Sequence, residues 1–287
     1  MKTIAKQTEV LARQADSDTQ LIALWLHGRP TTTQRTYQDA VGRLVAFTDK
    51  PLTTITLGDL QAFVDSLEGL SVNSQKRIIA SVKSLFTFGQ KIGYLRFNVA
   101  AALKQPKARN DLAQRILTEG EVITMIHLTK KQRDQLLLRL LYATGARISE
   151  VCGLTWADVQ LNGDTGQVTL FGKGGKTRAV KLSKATWQAL LDFRADAVAN
   201  DPVFQSQKGG ALDSTQVHRI VKAAAQRAGI AGNVSAHWLR HSHASHSLDR
   251  GASIVLVRDT LGHSSLAITS RYTHAKPDQS SALYLGV

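Results

Sequence analysis

The run His237-Trp238-Leu239-Arg240-His241, then Leu261-Gly262-His263, then Tyr272, decides how this chain is read. Cationic and nucleophilic groups crowd it, and Asp249 is the only acid between Asp213 and Asp259. On a helix, residues three and four apart share a face, which sets His237 beside Arg240 and turns Trp238 and Leu239 toward packing. A proton carrier then stands next to a fixed cation. Tyr272 follows His263 by nine residues. A phenol with a pKa of about 10 is a poor nucleophile until neighbours stabilise its oxyanion, and such neighbours also grip a phosphate. Taken singly, each residue has a bland reading, because a lone His or Tyr is more often a packing group than a catalyst. His237, His241, His243, His246 and His263 include pairs four apart that suit zinc, but carboxylates and thiolates are scarce around them, so no metal site is expected.

Two upstream stretches carry similar chemistry. Tyr142-Ala143-Thr144-Gly145-Ala146-Arg147-Ile148-Ser149-Glu150 ends an apolar helix at Gly145 and delivers Arg147 at the head of the next. Arg147 and Glu150, three apart, suit an ion pair that would be worth little as an ordinary surface contact. Phe171-Gly172-Lys173-Gly174-Gly175-Lys176 is a glycine-rich turn between two segments of strand composition, Gln167–Phe171 and Thr177–Leu182, so Lys173 rides on a hairpin. Gly175-Lys176-Thr177 looks like the end of a nucleotide-binding loop. That motif needs Gly where Leu170 stands, and it opens a helix where this turn opens a strand, so the reading is rejected.

These boxes, in this order, resemble the tyrosine recombinases, also called the phage integrase family, over roughly residues 112 to 287. The resemblance implies that Arg147 and Arg240 clamp a scissile phosphate while Tyr272 attacks it, leaving a 3′-phosphotyrosyl enzyme and a free 5′-hydroxyl. It further implies that Lys173 protonates the leaving oxygen, that His237 handles the Tyr272 proton, and that His263 hydrogen-bonds the phosphate or positions the nucleophile. Neither a cofactor nor ATP is needed, because the covalent ester preserves the energy of the phosphodiester. The implied partners are double-stranded DNA and three further copies of the chain in a homo-tetramer on two synapsed sites, with a second recombinase or an accessory factor also admitted. Two other functions stay open at this point: a type IB topoisomerase, which uses a similar residue set, and a DNA-binding module without catalysis.

Composition agrees with a polyanionic partner. The 287 residues carry a formal net charge of +14, and the isoelectric point is about 10.1. No apolar run approaches the roughly 20 residues that span a bilayer. Met1 to Asp16 is charged throughout, unlike a signal peptide, so a cytoplasmic protein with no membrane partner is expected. Cys152 is the single cysteine, which rules out an intramolecular disulfide, and its apolar surroundings predict a buried, inert thiol.

The expected fold is mainly α with a small antiparallel β-sheet: an N-terminal four-helix core-DNA-binding domain over 1–103, a basic linker over 104–111, and a C-terminal mixed α/β catalytic domain over 112–287. Apolar spacings of three and four predict the four helices, near Thr19–Leu26, from Thr31–Thr33 as caps through Phe47, from Thr56 to Leu67, and from Ser71 toward Gly93. Between Glu68 and Asp111 there is no acid. An acid-free stretch of this length favours phosphate contact over a merely solvated face, which makes Lys76, Arg77, Lys83 and Lys107 candidate DNA contacts together with Lys176 of the hairpin. Further helices are expected over Thr118–Leu128, Arg133–Thr144, Lys184–Val198 and Ser214–Ala228. The apolar end, Leu283 to Val287, suits docking on a neighbouring subunit or within its own domain.

Overall fold

A computed structural model describes residues 14–107, 112–172 and 174–273. The chain divides into two compact units, Met1–Arg109 and Asn110–Val287. Each has its own apolar core.

In the first unit, α1 (Asp18–Leu26), α2 (Thr31–Thr48), α3 (Leu57–Asp65) and α4 (Val72–Lys91) pack around Leu21, Trp25, Leu44, Phe63, Ile79, Leu85 and Phe86. The local sequence sets the helix ends. Ser17 caps α1, and Thr56 and Asp59 form a capping box at α3, satisfying amides that have no partner inside the helix. The start of α2 differs from the sequence reading. Thr31 is already helical and Pro30 takes the cap position, where its ring offers no acceptor, so no side chain caps the helix.

The second unit places α5 (Glu119–His127), α6 (Gln132–Thr144), α7 (Ile148–Cys152), α8 (Lys184–Arg194), α9 (Ser214–Arg227), α10 (Ala236–Asp249), α11 (Ile254–Leu261) and α12 (Leu266–Thr273) with one antiparallel sheet of β1 (Val159–Asn162), β2 (Thr165–Phe171) and β3 (Thr177–Lys181), in that order. The fold is thus mainly helical with a small sheet. Its core runs from Leu137 and Leu141 of α6 through Val168 and Leu170 of β2 to Val217, Val221 and Leu239. A smaller cluster of Leu112, Ala244, Val257, Leu261 and Tyr272 ties α10, α11 and α12 together. β1 was not visible in the sequence, and pairing with β2 in the register Val159 opposite Val168 holds it. Cys152 is half-buried, not enclosed as expected: it closes the five-residue α7 at the edge of the core. Burial, then Asp213, pushes its thiol pKa up.

Two glycines are required by their surroundings. Gly145 ends α6 at φ 58°, in the left-handed region, and a Cβ there would collide with the Leu261 side chain. Gly166 of β2 lies directly against the Trp187 ring of α8, where a Cβ would overlap it. Gly166→Ala should therefore lower the melting temperature of the second unit in calorimetry by the equivalent of about 1–3 kcal/mol. Gly120→Ala, in open space on α5, should leave it unchanged or slightly raised; equal losses at the two positions would contradict this packing.

Candidate active site

The site is assembled at the C-terminus of α11. The last carbonyls of a helix lack intrahelical donors and sit at the negative end of its dipole. Three arginines from three other elements donate to consecutive ones. Arg178 of β3 gives its Nε–H to Thr260 O at 2.6 Å, and Arg240 of α10 reaches Leu261 O at 2.7 Å. Arg147, at the head of α7, makes a longer 3.4 Å contact with Gly262 O. Arg240 also donates to Gly145 O, so the turn that ends α6 and the turn that ends α11 hold one guanidinium between them. Gly262 is left-handed at φ 64°, which turns the chain sharply into His263.

The only carboxylate hydrogen-bonded to these guanidiniums among the described residues is Glu150, and it is 4 % exposed. Arg178 takes both its oxygens at 2.8 and 2.7 Å, while Arg147 contributes its backbone N–H at 2.7 Å and Nη1 at 2.9 Å. Burial works to raise the Glu150 pKa, but the hydrogen bonds from Arg178 and Arg147 outweigh it and hold the carboxyl below its usual range. This corrects the surface-pair reading of Arg147 and Glu150. The pair belongs to an Arg-Glu-Arg cluster built on the buried Glu150 carboxylate, with Arg147 half-buried above it. Arg240, 2 % exposed, is brought down to about 10 by burial and then by the charges of Arg147 and Arg178, and so stays cationic at neutral pH.

Tyr272 lies opposite on α12, 7 % exposed. Its hydroxyl is 2.7 Å from Nδ1 of His241. His237 lies one helical turn earlier, its ring edge-on to His241 with centroids 4.9 Å apart. The sequence reading assigned the Tyr272 proton to His237, but it is His241 that touches the hydroxyl. The His263 ring lies parallel to that of Tyr272 at 6.4 Å, oriented by an Nδ1 contact of 2.9 Å with the buried Thr269 hydroxyl. Burial, then neighbouring positive groups, bring His241 and His263 to about 4 and depress His237. Burial pushes the Tyr272 phenol up, opposed by Arg240 and then Arg271.

A cavity of about 380 Å³ gathers Arg147, His237, Arg240, His263 and Tyr272 with His241, Arg115 and Arg271, and no carboxylate among the described residues lines it. Lys173 lies outside the described residues, as does the segment Leu283–Val287. Lys176 is exposed and lines an adjoining cavity of about 590 Å³ beside Arg147, Arg178 and His263. In the first unit, Arg77 lines a groove with Arg35 and Arg43, Lys76 is half-buried on the same helix, and Lys107 is exposed. Lys83 is different, because its ammonium caps two backbone carbonyls, Ala101 O at 3.0 Å and Leu103 O at 2.7 Å. No group of three or more His, Cys, Asp or Glu suited to a metal occurs among the described residues, nor any helix long and apolar enough to cross a membrane.

The profile of the phage integrase family matches residues 115–279, a span that begins just before α5 and ends beyond Tyr272. The chain belongs to the phage integrase family. It is 40 % identical over 259 residues to the tyrosine recombinase XerC of Corynebacterium efficiens, covering 86 % of this chain and 82 % of that one. Its fold matches that of the XerH site-specific recombinase bound to its difH substrate, with a TM-score of 0.70 at 24 % identity over 91 % of this chain and 82 % of that one. A lambda integrase tetramer bound to a Holliday junction gives a TM-score of 0.73 at 20 % identity over 88 % of this chain and 74 % of that one. This phage integrase family member is a tyrosine-type site-specific DNA recombinase, which resolves the alternatives that the sequence motifs left open.

The sequence reading missed His241, Arg178, Arg115 and Arg271. For His241 a signal was present, since its position four residues after His237 places it on the same helix face. His243 shares its depressed state: burial, partly offset by donation of Nδ1–H to Tyr142 O at 2.8 Å, brings it to about 4. His241, His243 and His263 are therefore neutral when folded and protonate near pH 6.5 when unfolded. Below that value the unfolded state binds more protons, so stability falls as pH drops from about 6.5 toward 4. Thermal melts should show this loss, and His243→Gln should flatten it; a melting temperature that rises over the same range would contradict the buried neutral imidazoles.

Proposed function

We propose that this recombinase cleaves and rejoins double-stranded DNA through a covalent 3′-phosphotyrosyl intermediate on Tyr272. One observation carries the reading: Tyr272 lines a cavity with the guanidiniums of Arg115, Arg147, Arg240 and Arg271 and with three imidazoles, and no carboxylate among the described residues lines it. Charge on the non-bridging oxygens of a phosphodiester must be neutralised in the transition state, and a guanidinium does this bidentately while remaining charged. Arg147 and Arg240 are assigned that clamp. Arg240 is held by two backbone carbonyls and Arg147 chiefly by Glu150, so little reorganisation accompanies phosphate binding.

Tyr272 Oη attacks phosphorus in line, the bond to the 5′ oxygen breaks, and that oxygen takes a proton from Lys173 of the hairpin. His241 is the first acceptor for the phenolic proton because it already holds the hydroxyl, with His237 adjacent at the rim. Burial and then neighbouring positive groups depress both imidazoles, and an anionic phosphate entering the cavity offsets the second of these, raising their basicity when it is needed. His263, with Nδ1 engaged by Thr269, presents Nε2 to a phosphate oxygen. A 5′-hydroxyl from a second duplex reverses the step. Bond for bond the exchange is nearly isoenergetic. By analogy with the lambda integrase tetramer, four copies act on two synapsed sites. The first unit contributes non-specific phosphate contacts through Arg77, Lys76 and Lys107, with Lys176 contributing from the hairpin. Lys83, which caps backbone carbonyls, is left out of that set.

The reading is tested with a nicked duplex from which the cleaved end diffuses away, in buffer containing EDTA and no nucleotide. The wild-type protein should accumulate a denaturation-resistant protein–DNA adduct and Tyr272→Phe none, with duplex affinity retained. Tyr142→Phe, which loses a contact with His246, should still form the adduct. An adduct with Tyr272→Phe, or a requirement for added magnesium in the cleavage step, would overturn the assignment.

A further inference from the structure

Arg178 does not line the cavity that holds Tyr272, yet it is the most fully engaged of the three arginines. Its Nη1 and Nη2 take the two Glu150 oxygens and its Nε takes Thr260 O. Arg147 is left with one side-chain bond to Glu150, at 2.9 Å, and the long contact to Gly262 O. The cluster holds two positive charges and one negative charge, and geometry decides which guanidinium the carboxylate neutralises. The bidentate fork belongs to Arg178. The turn before Lys173 closes over the same carboxylate: a Cβ on Gly172 would lie 3.3 Å from Glu150 Oε1 and 3.8 Å from Arg147 Nη1.

We propose that Arg178 is a positioning residue that neutralises Glu150 and thereby keeps the charge of Arg147 available to the scissile phosphate. The inference rests on the phosphate-clamp role assigned to Arg147 above. Without Arg178, the buried carboxylate would have Arg147 as its remaining hydrogen-bonded counter-ion, and an arginine chelated by a buried carboxylate cannot also offer its fork to a phosphate. Arg178 and Glu150 thus act as a matched pair, and removing both charges should be milder than removing the positive one alone. A merely structural role for Arg178 predicts the opposite, because two lost partners would then damage the fold at least as much as one.

The test is single-turnover adduct formation on the nicked duplex by wild type, Arg178→Gln, Glu150→Gln and the double variant, with duplex affinity and melting temperature measured in parallel. Arg178→Gln should cleave about 10–100-fold more slowly, with affinity changed less than about threefold, because the phosphate is bound but misheld in the transition state. The double variant should recover at least about tenfold over Arg178→Gln, and Arg178→Lys, which keeps the charge without the fork, should fall between wild type and Arg178→Gln. If Arg178→Gln does not fold, the comparison is between the double variant and Glu150→Gln, which should cleave at similar rates. Wild-type rates for Arg178→Gln, or a double variant about tenfold or more below Glu150→Gln, would overturn the proposal. Failure of the wild type itself to form the adduct would sink the phosphotyrosyl reading, an outcome distinct from either.

Discussion

The constraint on which the second unit depends is the electrostatic one at the end of α11. Arg147, Arg178 and Arg240 come from different elements and would repel one another if brought together in isolation. They are reconciled by carbonyls at the negative end of a helix and by the buried Glu150 carboxylate. Concentrating cations this way is costly in a free protein. On the proposed mechanism it also prepares the cavity for a phosphate, because the donors are fixed before the anion arrives and need not be ordered by it. On that mechanism burial, and then this field, keep His241 and His263 neutral until DNA binds.

The packing follows from that arrangement. Gly145 is required because α6 must end against Leu261 of α11, and Arg240 bridges the two turns. The small cluster of Leu112, Ala244, Val257, Leu261 and Tyr272 then fixes α12 so that the phenol faces α10. Tyr272 is held by apolar packing, and its hydroxyl by the imidazole of His241.

Much of this was legible in the sequence, for reasons that can be stated residue by residue. The helices of the first unit announced themselves through apolar spacing and, at α3, through Thr56 at its start. Arg147, His237, Arg240, His263 and Tyr272 were singled out by their boxes, and the fold gathers these five around one cavity. Arg178 could not be read because its partner, Glu150, is 28 positions away and its strand gives no hint of a buried carboxylate. β1 was invisible because four residues with polar ends have no signal apart from the strand they pair with. Lys83 shows a similar limit: nothing in its acid-free stretch announces the carbonyls of Ala101 and Leu103 that its ammonium meets.

The central claim, that fixed guanidinium charge meets phosphate charge at the moment of Tyr272 attack, is tested most directly by removing that charge from the DNA. A nicked duplex carrying a neutral methylphosphonate at the scissile position is compared with the ordinary phosphate, for wild type and Arg147→Ala, by single-turnover adduct formation. The account predicts that Arg147→Ala loses about 100-fold or more on the phosphate and far less on the methylphosphonate, because the charge it opposed is gone. Equal losses on the two substrates would contradict it.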